Sequence, residues 1–474
     1  ELQSKHIECE DSVQPMALSS GLSKLGPRAL LAGAAGAFGS LDTAVNVAFP
    51  DLVDDFGLAV GDLQWVVVFY VLVYGGLLLA AGQLADTWGY ARVLRIGAGI
   101  SSVALVLCAT APTFALLLAA RALQGIGVAM VMASAPALLT TGSATAHTRA
   151  VGVFQTAAAV GLAIGPIVGG PLVEWIGWRA VFWFRVPLGL LLLLLTITNK
   201  PTTVAKSNEV DRVGTLLVSI SLGAAVLALN LTATRGWVDP LVVGSAVAAA
   251  LSVTAFVVFS RRVEHPVLEL ELFRSIDFAT ANFLAVVANG AMFATWLLVP
   301  SLLIDQLGTS LLVSGLVLAA SPAATAVAST LAGRSTGRVA GWKLGAVGLL
   351  VEGVGMVGLS QVGVTWSPTH IALLMAVVGA GLGLFSVPNM ATVMQGVGND
   401  KQGVAGGLSL MTRTVGVVAG VATASALADR LEPSRGFFGS FEVVFAASGV
   451  VLWGSALLAG VLAVRAAMTG RLHL

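Results

Sequence analysis

GQLADTWGYAR, running from Gly82 to Arg92, is a short polar stretch set between two long apolar ones. The apolar run before it begins near Gln64 and the one after it near Val93. Each is long enough for a helix that crosses a bilayer, which takes ~20 mainly apolar residues. Strands of a membrane barrel need about half that length and alternate apolar with polar, which these runs do not. The stretch therefore reads as a tight loop joining two membrane helices on one side of the membrane. Its carboxylate, Asp86, can cap or attract a helix N-terminus, worth about 0.3–1 kcal/mol. The plainer reading is a solvated loop acid.

The same pattern runs along the whole chain. Its 474 residues are 57% hydrophobic and 10% charged, against about 25% charged in a soluble globular protein. Fourteen apolar runs can span, starting near Arg28, Gln64, Val93, Phe114, Arg149, Ala180, Val213, Asp239, Phe278, Leu311, Lys343, Thr369, Gln402 and Phe441. Lys and Arg concentrate on the cytoplasmic side of a membrane protein. With both ends inside, the outer side takes only Arg179, Arg235, Arg430 and Arg435, and the first outer loop, DLVDDFGLAVGD, is purely acidic. An odd number of spans would put Arg465 and Arg471 outside. The expectation is an all-α integral membrane protein with both termini cytoplasmic.

Other classes are excluded or unsupported. A net charge of +1 gives no polybasic excess for nucleic acid. No Gly-Lys-Ser/Thr phosphate loop appears, so ATP does not drive the chain directly. The histidines are scattered without metal-ligand spacing, and Cys9 and Cys108 make no disulfide framework. No cofactor and no metal are expected. Residues 1–15 lack the order of a cleaved signal peptide, and Met16 reads as the start.

Several ionisable groups fall inside the apolar runs. SLDTAVNVAFP, Ser40 to Pro50, carries Asp42 roughly midway along the first span, on one face with Gly39 and Asn46. Intramembrane ionisable groups are functional by default. A buried carboxyl that can take up and release a proton suits proton coupling; the alternative is a structural acid bonded to Thr43 or Asn46. Arg121 costs about 2.5–3.5 kcal/mol at a helix centre, so it must face a partner or a cavity. Gln124 and Gly125 share its face. Glu352 lies mid-span on a glycine face and reads as a second proton site or as a structural tie to a polar group on a neighbouring span. Arg413 is placed to pair with a carboxylate or line a cavity, and Arg185 to snorkel toward the outer interface. Gly161, Gly165 and Gly169 repeat every four residues, a bare face for close helix packing, and Pro166 among them allows a bend.

The chain also repeats itself. AVGLAIG at 159–165 lines up with TVGVVAG at 414–420, QGIG at 124–127 with AGLG at 380–383, and two looser pairs keep a similar offset. Ordered matches at a steady offset argue for duplication. The division is a tail at 1–27, a six-helix bundle at 28–198, a two-helix insert with linkers at 199–277, a second six-helix bundle at 278–465 and a tail at 466–474. The two insert helices have no counterpart in the repeat and are expected at the edge, away from the centre. Parallel halves place a substrate site at their interface near the bilayer midplane.

GQLADTWGYAR resembles the loop between spans 2 and 3 of the major facilitator superfamily. RALQGIGVAM (121–130) resembles its span-4 motif and GLAIGPIVGGPL (161–172) its span-5 antiporter motif. LDTAVNVAFP and WRAVFWFRVPLG (178–189) are similar to signatures of the fourteen-span drug:proton antiporters. The resemblance covers Arg28 to about Arg465. It implies the major facilitator fold: two six-helix bundles plus two additional helices. It implies proton-coupled export of amphipathic small molecules, drugs or toxic compounds, from the bacterial cytoplasm by alternating access, with a monomer in the inner membrane and with protons, substrate and lipid as partners. Proton coupling then falls to Asp42, Arg121 and Glu352, with Arg121 tuning a nearby carboxylate from the cavity wall. The substrate cavity is expected at Asn46, Gln124, Met132, Asn289, Met292, Trp296, Asn389 and Arg413. Gating falls to Gly82, Asp86, Gly89 and Arg92 as an inner latch, and to Gly161, Gly165, Pro166, Gly169 and Gly170 as a flexing outer gate. Thr87, Tyr90 and Ala91 stand where the family has basic residues, and Gly337 stands in the second-half copy where it has an acid; a weaker latch follows. A lipid, a siderophore or the host's own antibiotic are alternative cargoes, and a non-transporting receptor or scaffold is an alternative role.

Overall fold

The computed structural model describes residues 27–57, 64–138, 144–198, 211–264, 266–335, 338–397 and 401–468. The expectations for the tails, the 199–210 linker and Gly337 lie outside these residues, as do the side chains of Asn46 and Pro166. The described chain is helical. Helix α1 (Pro27–Ser40) passes into a 3₁₀ segment (Leu41–Ala48) and then α2 (Phe49–Phe56). The first half continues with α3 (Gln64–Trp88), α4 (Tyr90–Ala109), α5 (Phe114–Ala137), α6 (Ala144–Ile176), α7 (Ala180–Trp183) and α8 (Arg185–Thr198). Then come α9 (Arg212–Arg235) and α10 (Pro240–Ser260). The second half holds α11 (Ile276–Ser301), α12 (Leu311–Ser335), α13 (Gly341–Ser360), α14 (Pro368–Gln395) and α15 (Gln402–Met468).

Among the described residues, 12 helices are long and apolar enough to cross a membrane. Two further positions hold shorter apolar helices, Leu30–Val45 and Arg212–Ala228. The first of these runs on from α-helix into the 3₁₀ segment at Leu41. The last element, Gln402–Met468, is two helices joined at a kink, and the expected start near Phe441 lies within a few residues of that kink. The run is helical from Gln402 onward, and its non-helical residue is Gly436, at φ +69. Loop chemistry sets the other ends. Thr113 caps α5 by accepting from the Leu116 N–H at 3.3 Å. Asp239 and Pro240 start α10, the pairing of a cap residue with N1 proline that helix starts favour. Gly89 bridges α3 and α4 at φ +91, a conformation that a side chain would strain.

Each half packs mainly on itself, and they meet at the end that carries Asp86. There α3 and α5 lie against the start of α15, close enough that a Cβ on Gly82 would strike the Gly403 backbone and one on Gly407 the Leu78 carbonyl. The main apolar core crosses the boundary here, joining Leu78 and Ala133 to Val404 and Leu408. Nearby, α6 meets α12, with Thr156 and Thr330 hydroxyls 2.9 Å apart. Toward the other end, Ile164, Ile167 and Val168 of α6 and Leu312 and Leu316 of α12 are exposed. Helix α9 sits on the seam between halves: Leu222 and Val226 pack with Val71, Met411, Val415 and Val418. Outside it lies α10, which is mostly exposed.

At that far end a small cluster ties the α2 loop to the α6–α7 turn. Asp55 accepts from the Trp178 indole at 3.0 Å and from Arg179 at 2.8 Å. These two bonds, the indole's first, hold its carboxyl below the usual range.

Candidate functional site

Asp42 lies on the 3₁₀ segment, and α5 and α8 converge on its carboxylate. Arg121 grips it with both ends of its fork, Nη1 to Oδ1 and Nη2 to Oδ2, each at 2.7 Å. The Arg121 Nε donates to the Val66 carbonyl at 3.0 Å, and Nη1 also donates to Gln124 Oε1 at 2.7 Å. Gln124, one turn on, returns a bond from Nε2 to Asp42 Oδ1 at 3.0 Å. The Tyr70 ring lies 4.4 Å from the Arg121 guanidinium carbon, a cation–π contact, and stacks on Tyr74. This is the bidentate, charge-assisted pairing that makes a buried ion pair tenable.

Arg185 completes the cluster and corrects the expectation that it snorkels outward. Its Nη1 donates to Asp42 Oδ1 at 2.7 Å, and its side chain is 0% exposed. The reason lies in local geometry. The helix breaks at Phe184, Arg185 begins α8, and a carboxylate with about four lone-pair sites has room for a second guanidinium. Two buried arginines thus share one aspartate. Arg185 is the less satisfied of the two, because its Nε and Nη2 are buried without a hydrogen-bond partner.

The glycine stripe of α6 is the bed on which this segment lies. A Cβ on Gly165 would strike the Thr43 hydroxyl, one on Gly161 the Ala37 carbonyl, and one on Gly169 would come within 3.1 Å of the Ala44 carbonyl. Thr43 spans the contact by donating to the Leu162 carbonyl at 3.1 Å. Gly170 is half-buried beside the stripe. Spacing read as close packing is therefore close packing, and its partner is the helix that bears Asp42.

A cavity lies between α6 and the second half. Asn289, Met292, Asn389 and Arg413 line it, together with Gln155, Leu162, Phe385 and Met390. Four of the expected cavity residues are thus brought together. Gln124 is not among them, because Asp42 and Arg121 engage it. Met132 is buried beneath Gly39, and Trp296 packs against the second core, its ring stacked near Phe293. Gln155, missed from sequence, carried a usable signal: it is an amide within an otherwise apolar run, one turn before the small-residue stripe.

At the closed end Asp86 accepts from the Gly403 N–H at 2.6 Å and the Val404 N–H at 2.9 Å. It caps the N-terminus of α15 across the boundary between halves, so the loop is not merely solvated. Thr87 turns back on its own helix, donating to the Gln83 and Leu84 carbonyls. Arg92 stands over the Trp88 ring, 5.6 Å from its centroid. Glu352 is fully buried and points into protein, away from the cavity. Of its two readings, the tie to a polar group on a neighbouring span finds no partner among the described residues, since neither carboxyl oxygen has a hydrogen bond there. Its helix is pressed so closely against Gly381 of α14 that the side chain is enclosed in an apolar layer.

Comparison with known proteins agrees with this architecture. Residues 31–421 match the family model of the Major Facilitator Superfamily. The chain is 31% identical over 382 residues to the "Uncharacterized MFS-type transporter EfpA" of Mycobacterium tuberculosis, covering 79% of this chain and 71% of that protein. It is 31% identical over 401 residues to the "Multidrug resistance protein Stp" of the same species, covering 82% and 74%. The crystal structure of the human organic anion transporter MFSD10 shares the fold, with a TM-score of 0.62 at 14% identity, over 91% of this chain and 100% of that one. The chain belongs to the Major Facilitator Superfamily of membrane transporters.

Proposed function

We propose that this transporter is a proton-coupled antiporter that exports amphipathic small molecules, drugs or toxic compounds, across the bacterial cytoplasmic membrane. The observation that carries the reading is the Asp42 carboxylate, held by two arginines on a 3₁₀ interruption of a membrane helix. Relatives named for multidrug resistance support the export of toxic compounds. Residues 28–198 and 278–465 act as two units that rock about the central cavity, with 199–277 as an insert, fourteen crossings and both termini inside.

Asp42 can exchange its charge for a proton because its ties to the two arginines depend on that charge, while the Gln124 amide can bond either form. As an anion it holds Arg121 and Arg185. A proton on Asp42 removes the attraction for both, leaving two buried cations to find other partners, and the cost of that falls on the local structure. The 3₁₀ segment is the element able to respond, since 3₁₀ geometry is a tighter and poorer bonding arrangement than α. Rewinding it would slide Thr43 and Ala44 along the Gly161, Gly165 and Gly169 bed and so pass proton binding to α6, which also lines the cavity. With the Asp86 latch closed at the cytoplasmic end, the conformation is one in which substrate leaves and protons arrive from outside. Glu352 is a second candidate proton site, remote from the cavity.

Proton flux in proteoliposomes tests the reading. A panel of antibiotics and dyes added to vesicles with an imposed pH gradient should include compounds that accelerate proton movement through the protein. A panel that moves no protons, while the same compounds bind, would leave a binding protein and end the antiport reading.

A further inference from the structure

The central cavity has a charge character. Among the described residues Arg413 is the ionisable group on its wall, and no Asp or Glu lines it. Arg413 is half-buried on α15, and no ion pair is found for it among the described residues. The acids elsewhere within the membrane helices do not offset it. Asp42 is shared between Arg121 and Arg185, and Glu352 is enclosed between helices of the second half, away from the cavity. Among the described residues of the interior, Arg121, Arg185 and Arg413 stand against Asp42, already paired, and Glu352, away from the cavity. The rest of the wall mixes apolar groups, Leu162, Met292, Phe385 and Met390, with the neutral amides of Gln155 and Asn389.

We infer that this cavity selects amphipathic organic anions, carboxylates above all, and discriminates against lipophilic cations, with Arg413 as the group that takes the anionic end. A guanidinium presents a planar fork that matches a carboxylate with two parallel hydrogen bonds. The Met and Phe side chains take the apolar body without demanding one shape. A lipophilic cation would fit the same apolar wall but would meet Arg413 with no carboxylate to compensate, and specificity arises from that repulsion as much as from the anion's attraction. The inference rests on the reading of this cavity as the substrate site, and it deepens that reading by naming the substrate class.

The test uses three probes with one body: 11-(dansylamino)undecanoate, its methyl ester and its trimethylammonium analogue. Equilibrium binding is measured on the full chain in lipid nanodiscs, with empty nanodiscs subtracted. The carboxylate should bind about tenfold or more tightly than the trimethylammonium probe, the ratio expected of a charge-assisted hydrogen bond. Arg413→Gln should weaken the carboxylate about tenfold and leave the ester unchanged, which also reports that the variant is folded. Arg413→Lys should keep the order, and carries the test if the glutamine variant does not fold. Tighter binding of the trimethylammonium probe, or an unchanged carboxylate affinity in folded Arg413→Gln, would overturn the inference. Gradient-driven transport of the same probes separates the two claims. The predicted binding order without transport sustains the substrate class and removes only the exporter reading. Transport with the opposite order removes only the substrate class.

Discussion

Arg121 and Arg185 touch the same carboxylate, yet they are not equivalent. Arg121 is fully committed: two bonds to Asp42, one to Gln124, one to the Val66 carbonyl, and a ring beneath it. Arg185 makes a single bond to Asp42 and leaves two buried nitrogens unpaired. Breaking a buried pair by removing one partner costs about 3–5 kcal/mol, because the survivor stays buried and charged. Arg121→Gln should show a loss of that size, since Asp42 would lose both fork bonds. Arg185→Gln removes an under-satisfied cation while Asp42 keeps its fork, and should change stability by about 1 kcal/mol or less. Thermal unfolding of both variants in detergent measures the order, and a larger loss for Arg185→Gln would contradict it. Sequence alone placed Asp42 and Arg121 mid-span in need of partners and Gln124 on the Arg121 face by its i, i+3 spacing, but it assigned Gln124 to the cavity and not to Asp42. Arg185 was not legible in this way. It starts a helix, where an arginine can reach either to the interface or inward, and only the position of Asp42 decides. Met132 and Trp296 failed as cavity residues for the opposite reason, since their types suit a pocket and a packed core equally well.

At the scale of elements, helix starts were legible to within a few residues across most of the chain, because cap residues and prolines mark them. The 3₁₀ segment was not, because nothing in LDTAVNVA breaks a helix. Its tightening depends on the glycine bed of α6 beneath it, a tertiary cause that no local propensity records. The Asp86 latch lies between these cases: the carboxylate was visible, but the helix it caps is more than 300 residues further on in the chain, joining Asp86 to Gly403 and Val404. Replacing a capping carboxylate costs about 0.5–2 kcal/mol. Asp86→Ala should therefore open the closed end more often, by about two- to thirtyfold. A cysteine at Ala133, which packs against Gly406 inside the closed end, would report this as faster thiol labelling in the Asp86→Ala background. An unchanged labelling rate would mean that Asp86 holds no gate.

The molecule as a whole is two helical bundles joined at one end, with α9 laid along the seam and α10 outside it. Two halves were read from four matches in order at similar offsets. The place of the insert was legible only as an absence from the repeat; that α9 would contact both halves through Leu222 and Val226 was not. Topology follows from charge. Cysteines at Ser310 and Ser335 flank α12, and the first should label from outside and the second only after permeabilisation; the reverse would invert the orientation. The proposed proton-driven export is likewise a claim about the whole molecule, and at its centre is the proposal that Asp42 exchanges the coupled proton. Asp42→Asn keeps nearly the same volume and is permanently uncharged, but it leaves Arg121 and Arg185 buried without their anion, a loss of about 3–5 kcal/mol, so the folded fraction of the variant is matched to wild type before transport is compared. The measurement is pH-gradient-driven substrate uptake into inverted vesicles, for wild type and Asp42→Asn at matched expression, with Glu352→Gln alongside. Uptake should vanish in Asp42→Asn and persist in Glu352→Gln. Full gradient-driven uptake by Asp42→Asn would contradict the account, and loss in Glu352→Gln alone would move the coupled proton to α13.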